Sequence, residues 1–243
     1  MTFAPLLPEL STTVARDGFA FMRAGAMRRL LDGRTDLADW DAFAASWNDL
    51  RLDTYMADGG RYRRRRFAVF SAAAGDPAIT REPHQPHYQA RSYNQLNGDI
   101  DRWFEPVLPE IGAGAAMTGI LRTARALFDS ITPDCSWHIE VHQFRIEARP
   151  GEAGQPTPEG MHRDGVDHVL VLMVGRTNIK SGETSVADLQ GRPLGSFTLT
   201  DPLDAAWVED ARVMHGVTAV APVDPALPAH RDVLVATFRR ETR

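Results

Sequence analysis

The second half of the chain is a succession of short strand-like segments, and this pattern limits the fold more than any other feature. After Pro133 the segments follow one another with turn residues between them and without a convincing helix. They comprise residues 137–148, 169–174, 195–199, 207–220 and 232–238. Five or more strands of this kind predict a sandwich or barrel, because each strand must bury an apolar face against another. We therefore predict a jelly-roll core for residues 133–243.

The first 132 residues have a mixed pattern. Apolar residues recur at helical spacing in three segments, and two short aromatic-rich segments between them are typical of strands. The predicted helices are 24–32, 40–47 and 117–128, the predicted strands are 18–22 and 66–70, and 76–97 is predicted to be a long ordered loop. These features predict an α+β fold in which N-terminal helices brace the jelly roll. We expect a single domain over residues 1–243, since one core of this type can close over such a length.

Charge and composition exclude several classes of partner. The net charge is −5, from 27 basic and 32 acidic residues, so we expect neither nucleic acid nor an anionic membrane as a partner. No apolar run approaches the roughly 18 residues of a membrane span. Cys135 is the single cysteine, which excludes an intrachain disulfide and favours a reducing cytoplasm. The oligomeric state stays open.

A local basic cluster comprises Arg61 and Arg63 to Arg66. Aromatic and apolar residues are interleaved with it or follow it, as in a strand whose polar face extends into solvent. We expect a solvated or ion-paired surface here, and an anion-binding role is the alternative.

His162 and Asp164 are separated by one residue, and His215 follows Asp164 after 51 positions. In extended backbone, residues two apart point to the same side, so His162 and Asp164 can face one ion. Two imidazoles and one carboxylate on one face of an Fe(II) ion leave positions open for a co-substrate and O2. The alternative for so short a pattern is a surface turn and a core histidine.

Arg231 lies 16 residues beyond His215, at the start of a predicted strand. Its planar guanidinium matches a carboxylate, which would suit the distal end of a dicarboxylic keto acid deep in the barrel. An ion pair with Asp232 or Glu209 is the alternative.

Longer blocks of sequence resemble a known family, the 2-oxoglutarate/Fe(II) dioxygenases that include L-isoleucine 4-hydroxylase and related free-amino-acid hydroxylases. The blocks are WHIEVHQFRI at 137–146, PTPEGMHRDG at 156–165, RTN at 176–178, SGET at 181–184, MHGV at 214–217 and RDVLV at 231–235. The resemblance extends to QPHY at 85–88 and YN at 93–94. It therefore covers most of the chain beyond about residue 60. The sequence departs from the family pattern at Ser181, where glycine is expected, and at Ala187, where an aromatic residue is more usual.

The resemblance implies a double-stranded β-helix, a cupin-like jelly roll. It also implies iron ligands at His162, Asp164 and His215, and binding of 2-oxoglutarate by Arg231 with Thr184. The expected reaction uses Fe(II), 2-oxoglutarate and O2 to hydroxylate or sulfoxidise a small free L-amino acid, with release of succinate and CO2. A peptide or protein substrate is an alternative, and so is a non-catalytic cupin-like metal- or ligand-binding protein.

Further polar residues are candidates for contacting the substrate. From the long loop these are Tyr88, Tyr93 and Asn94, and from the predicted strand at 137–148 they are His142, Gln143 and Arg145. A rival metal site at His138, Glu140 and His142 is disfavoured, because ligands along one straight strand would spread over roughly 13 Å at ~3.3 Å per residue. His84 and His87 are expected to be hydrogen-bonded or exposed.

Overall fold

The computed structural model describes residues 6–32, 34–91, 93 and 98–241, and this part of the chain contains five helices and thirteen strands. The helices are α1 (Leu6–Asp17), α2 (Ala24–Asp32), α3 (Trp40–Ala45), α4 (Pro109–Gly112) and α5 (Ala115–Ile131), and a 3₁₀ turn follows α3 at Ser46–Asp49. The strands are β1 (Phe19–Met22), β2 (Arg51–Leu52), β3 (Arg63–Ala72), β4 (Thr80–Arg81), β5 (Trp137–Ala148), β6 (His168–Thr177), β7 (Ile179–Ser181), β8 (Thr184–Asp188), β9 (Pro193–Phe197), β10 (Ala205–Glu209), β11 (Val213–Val217), β12 (Val220–Pro222) and β13 (Ala229–Arg240). The three predicted helices correspond to α2, to α3 with its 3₁₀ turn, and to α5.

Four long antiparallel strands form the centre of an eight-stranded sheet. Its order is β1-β10-β6-β13-β5-β3-β2, and β4 pairs with β3. Strand β13 pairs along its full length with β5 and along most of its length with β6, with an irregularity between Asp232 and Val233. The last strand of the chain is thus the middle of the main sheet.

The two faces of the main sheet have different neighbours. On β13, Leu234 and Phe238 join the large apolar core that the helices cover, whereas Val233 belongs to a separate apolar cluster. On β6, Leu170 lies in the large core and Val169 in another separate cluster. Because successive side chains of a strand point to opposite faces, the sheet supports a helical layer on one side and leaves the other side for a site.

A second sheet lies over that other side. It has the order β11-β8-β9, and a further pair joins β12 to β7. Val186 of β8 and Val213 of β11 pack with Val169 and Val208 of the main sheet. Two sheets facing each other across an apolar layer form the double-stranded β-helix, so the predicted jelly-roll fold is confirmed.

Two strand boundaries differ from the prediction. The segment 207–220 is not one strand, because the chain turns twice and divides it among β10, β11 and β12. These turns move the chain from the main sheet to the small sheet and then to the β7 pair. The predicted strand 195–199 is found two residues earlier, as β9.

The main sheet combines strands from both parts of the chain. β1 pairs with β10, and β3 pairs with β5 over ten residues. The division into a mixed part at 1–132 and a core at 133–243 therefore does not separate two sheets. Among the described residues, none of the helices is both long and apolar enough to cross a bilayer.

The basic cluster is largely buried, so its predicted solvent exposure is wrong for three of its arginines. Arg63, Arg65 and Arg66 are 7%, 3% and 4% exposed. The predicted ion pairing is found, with Arg63 Nη2 at 2.7 Å from Asp53 Oδ2 and Arg66 Nη2 at 2.6 Å from Asp49 Oδ2. The reason for the burial is that β3 is covered on both faces.

Ser181, one of the two departures from the family pattern, has a left-handed backbone with φ 66°. The conformation that favours glycine is thus retained here by a residue with a Cβ atom. Ala187, the other departure, is buried on β8 opposite Met214 of β11.

Candidate metal centre

Two histidines meet across a short backbone bridge. His162 and His215 each donate a backbone N–H to the other's carbonyl, at 2.9 Å in both directions. Asp164 follows two residues after His162, and its two carboxylate oxygens each lie 3.6 Å from the Nε2 atom of one of these imidazoles. Potential ligand atoms of the three residues all lie within 4.8 Å of one another. The three residues selected from the sequence are therefore brought into a group that could surround one metal ion.

Asp210, which the sequence analysis did not identify, orients the loop that carries Asp164. It is fully buried, and its Oδ1 accepts a hydrogen bond from the Asp164 N–H at 2.9 Å. Its Oδ2 accepts from the N–H groups of Gly165 and Val166, at 2.9 and 3.2 Å. Three backbone donors on one carboxylate hold the loop in a defined direction. No spacing in the sequence marks this role, since Asp210 lies in the turn between β10 and β11.

The electrostatics of the three ligand-type side chains favour a cation between them. Burial lowers the pKa of His162, but the hydrogen bond and charge of Asp164, together with the charge of Glu159, outweigh it and raise the pKa to about 9. Burial raises the pKa of Asp164, but His162 and His215 outweigh it and lower the pKa to about 2. Burial lowers the pKa of His215 to about 4, so its imidazole is neutral at pH 7. A bound divalent cation would displace the His162 proton, and this donor set fits Fe(II).

A cavity of about 480 Å³ opens beside this group. Its walls come from both sheets and from the loop residues 85–90 and Tyr93. Apolar residues from both sheets form much of its inner wall: Val169, Val171, Val186, Phe197, Leu199, Ala206, Val208, Val217, Val233 and Val235. Such a wall limits the access of water to the metal group.

Arg231 and Thr184 both line this cavity. Arg231 is 3% exposed, and its Nε has no hydrogen-bond partner in the described part of the chain. Burial lowers the pKa of Arg231 to about 10, so the guanidinium stays charged at pH 7. The alternative ion pairs with Asp232 or Glu209 do not form, because those carboxylates bind other arginines. The structure therefore leaves the Arg231 guanidinium available for a ligand in the cavity.

The predicted substrate residues fall into three groups. Tyr88, Tyr93 and His142 line the cavity. Asn94 lies outside the described residues. Gln143 and Arg145 form the third group, and their predicted position in the pocket is wrong.

Gln143 and Arg145 lie outside the pocket because successive side chains of β5 point to opposite faces of the sheet. Gln143 is fully buried on the side of β5 away from the cavity, where its amide donates to the Ser46 hydroxyl at 2.8 Å. Arg145 donates to both carboxylate oxygens of Asp232, at 2.7 Å each. His142 and Glu140, at the even positions, point to the cavity instead.

A second group of potential ligands lines the same cavity and comprises His87, Glu140 and His142. Glu140 Oε2 is 2.9 Å from His87 Nδ1 and 3.8 Å from His142 Nε2. In this group His87 of the long loop takes the place of His138 in the rival site considered from sequence. Arg65 donates to Nδ1 of His142, and a guanidinium in this position opposes a divalent cation. The arrangement is that of a hydrogen-bonded polar wall, and His87 is hydrogen-bonded as predicted.

Comparisons with known proteins agree with this architecture. A sequence model of the family described as 2OG-Fe dioxygenase matches residues 44–237. The chain is 26% identical over 242 residues to a protein of Pantoea ananatis (strain AJ13355) named 3(1)-hydroxy-L-isoleucine 4-dioxygenase, with 96% of each chain covered.

Two solved structures extend the comparison. A bsmA homologue from Methylobium petroleophilum PM1 superposes with a TM-score of 0.86 at 36% identity, covering 96% of this chain and 92% of the other. The structure named IDO from Bacillus thuringiensis gives a TM-score of 0.79 at 16% identity, covering 97% and 100%. At 16% identity, the similarity to the Bacillus thuringiensis structure supports the fold alone.

Proposed function

Since this chain belongs to the 2OG-Fe dioxygenase family, an enzyme family that uses Fe(II), 2-oxoglutarate and O2, we propose that it oxidises a small free L-amino acid. The oxidation is a hydroxylation or a sulfoxidation. We further propose that His162, Asp164 and His215 hold the iron, and that Arg231 with Thr184 binds 2-oxoglutarate. A cytoplasmic location is part of the proposal, from the single cysteine of the chain.

The observation that carries this proposal is the joint placement of the metal group and Arg231. One cavity between the two sheets is lined by a group of two histidines and one carboxylate that fits Fe(II), and by a buried arginine that has no partner among the described residues. The relative in Pantoea ananatis, named as a dioxygenase of a hydroxylated isoleucine, supports an amino acid as the substrate.

When bound, Fe(II) and 2-oxoglutarate supply an oxidant made from O2, and succinate and CO2 are released. His162, Asp164 and His215 would hold the ion, and a set of two imidazoles and one carboxylate would leave coordination positions for 2-oxoglutarate and O2. The Arg231 guanidinium orients the co-substrate through its distal carboxylate. The apolar residues of the two sheets exclude water, which protects the substrate oxidation from side reactions.

The first test measures succinate release with Fe(II), ascorbate and 2-oxoglutarate across a panel of free L-amino acids and short peptides. At least one amino acid should stimulate succinate release by the wild type, and the Asp164→Ala variant should stay at background. Asp36→Ala removes an exposed carboxylate and should behave as the wild type. If peptides alone stimulate the reaction, the substrate proposal fails. If the Asp164→Ala variant is as active as the wild type, the ligand assignment fails.

The second test separates the two binding roles. Arg231→Leu should weaken 2-oxoglutarate binding far more than metal binding, because the guanidinium would bind the co-substrate and is not one of the proposed metal ligands. Calorimetric titration with Mn(II), and then with 2-oxoglutarate, measures both affinities. An equal loss of both would assign Arg231 a role in folding instead.

A further inference from the structure

Besides Arg231, Arg102 of the cavity wall also has no counter-ion among the described residues. Arg102 is 2% exposed and lines the cavity. Its Nε and Nη2 atoms are buried without a hydrogen-bond partner among the described residues. Its backbone exchanges two hydrogen bonds with His87, at 3.0 Å each, so the side chain starts from a fixed position. A charged guanidinium that is buried and unpaired is unfavourable unless a ligand pairs with it.

Asp53 and Glu140, whose negative charges act on Arg102, already have partners. Arg63 donates to Asp53 Oδ2 from Nε at 2.7 Å, and Arg65 Nη1 lies 3.6 Å from the same oxygen. Glu140 is engaged by His87 at 2.9 Å. Among the described residues, no direct ion pair therefore balances the charge of Arg102.

Glu159 provides the complementary charge on the same cavity. Its Oε2 is buried without a hydrogen-bond partner among the described residues, and its Oε1 lies 3.5 Å from His162 Nε2. When His162 gives this nitrogen to a metal, Glu159 loses that contact as well. Glu159 makes no ion pair with Arg102, although its negative charge acts on Arg102 and favours the charged guanidinium.

With His162 bound to a metal, Arg102 and Glu159 would be two opposite charges on one cavity that no described residue balances by an ion pair, and such a pair of charges matches a zwitterion. We propose that Arg102 binds the carboxylate of the substrate and that Glu159 binds its ammonium group, an assignment that rests on the proposed function. Arg231 is the separate anchor for 2-oxoglutarate. A dicarboxylate that bound at this site in place of the amino acid would bring its second carboxylate against the negative charge of Glu159. An internal residue of a peptide has neither free group, so these two residues select a free amino acid.

The test compares each substrate with an analogue that lacks one charge. We expect the wild type to prefer the amino acid over its α-amide by about 100-fold in kcat/KM, since a site built for a polar group rejects an analogue without it. Arg102→Met should reduce this preference to within a few-fold. Glu159→Gln should likewise reduce the preference for the amino acid over its N-acetyl derivative to within a few-fold. Calorimetric affinities for Mn(II) and 2-oxoglutarate should stay unchanged in Arg102→Met, and the affinity for 2-oxoglutarate should stay unchanged in Glu159→Gln.

A measurement without substrate provides an independent test. Arg102→Met should raise the Tm of the protein, because methionine replaces an unpaired buried charge. Arg239→Met is the matched control, since Arg239 is an exposed arginine that lines the same cavity, and its Tm should stay unchanged. A lower Tm for Arg102→Met, or a retained preference for the acid over the amide, would overturn the role of Arg102.

The outcomes also separate this inference from the proposed function. If the wild type is stimulated by a 2-hydroxy acid but by no amino acid, the amino-acid proposal and the role of Glu159 both fail. In that case the acid-to-amide ratio and the Tm of Arg102→Met still decide whether Arg102 is a carboxylate site.

Discussion

His168 is a buried histidine whose protonation state links stability to pH. It is 1% exposed and stacks on Phe128 with ring centroids 4.6 Å apart. Burial lowers its pKa from 6.5 to about 4. In the unfolded chain the same imidazole takes up a proton near pH 6.5, so the unfolded state binds more protons between pH 4 and 6.5. Stability from this group is therefore complete above pH 6.5 and is lost as the pH falls towards 4.

The expected loss from His168 is about 2 kcal/mol between pH 7 and pH 5. Between pH 7 and pH 5 the free energy of unfolding should fall by about 2 kcal/mol less in a His168→Gln variant than in the wild type, because glutamine does not titrate. The free energy of unfolding from urea titrations at both pH values measures the difference. His84→Gln changes an exposed histidine and should follow the wild type. Equal losses in wild type and His168→Gln would contradict the prediction.

Single residues could be selected from the sequence where their chemistry restricts both type and spacing. His162, Asp164 and His215 were selected in this way, and potential ligand atoms of the three residues lie within 4.8 Å of one another. Arg102 and Asp210 were not found. Their importance arises from burial and from the backbone groups beside them, and neither property is visible until distant segments are folded together.

At the scale of elements, the loop after His162 depends on the turn between β10 and β11. Asp210→Ala removes the acceptor of three backbone N–H groups, so Asp164 should lose its fixed orientation. We expect metal affinity to fall by 10- to 100-fold, as for other residues that orient a ligand. Anaerobic Fe(II) titration measures this change.

Asp201→Ala is the control for that variant, since Asp201 is an exposed carboxylate in the turn before β10. Its metal affinity should equal that of the wild type. If Asp210→Ala lowers the Tm but leaves Fe(II) affinity unchanged, Asp210 stabilises the fold without orienting the ligand.

The elements themselves were predictable where a periodic pattern is long, as in α2, β5 and β13. What the pattern could not decide was which face of β5 turns to the cavity. Both sets of alternate residues on this strand include polar side chains, so Gln143 and His142 were equally plausible from sequence. Only the packing of the helices on one side assigns Gln143 to Ser46 and His142 to the cavity. The split of 207–220 was missed because its turns contain neither glycine nor proline between strands.

At the scale of the whole molecule, helix α5 connects the two parts of the chain. Phe128 is fully buried, and its ring contacts those of Trp207 and Phe238, with centroids 5.9 and 4.9 Å apart. Both partners lie on the main sheet, and the cavity with the metal group is on the opposite face of that sheet. The helical layer and the candidate site should therefore unfold together, as a single domain requires.

Phe128→Ala tests this coupling. Removing a buried aromatic ring from the core should cost about 3–5 kcal/mol of unfolding free energy, with equal shifts in both parts of the molecule. Circular dichroism at the helix band reports on α1 to α5, all of which precede residue 133, whereas Mn(II) binding in the same urea series reports on the candidate metal centre. The two midpoints should coincide in the wild type and move together in the variant. Separate midpoints would mean that residues 1–132 and 133–243 fold as independent units, in conflict with a main sheet built from both.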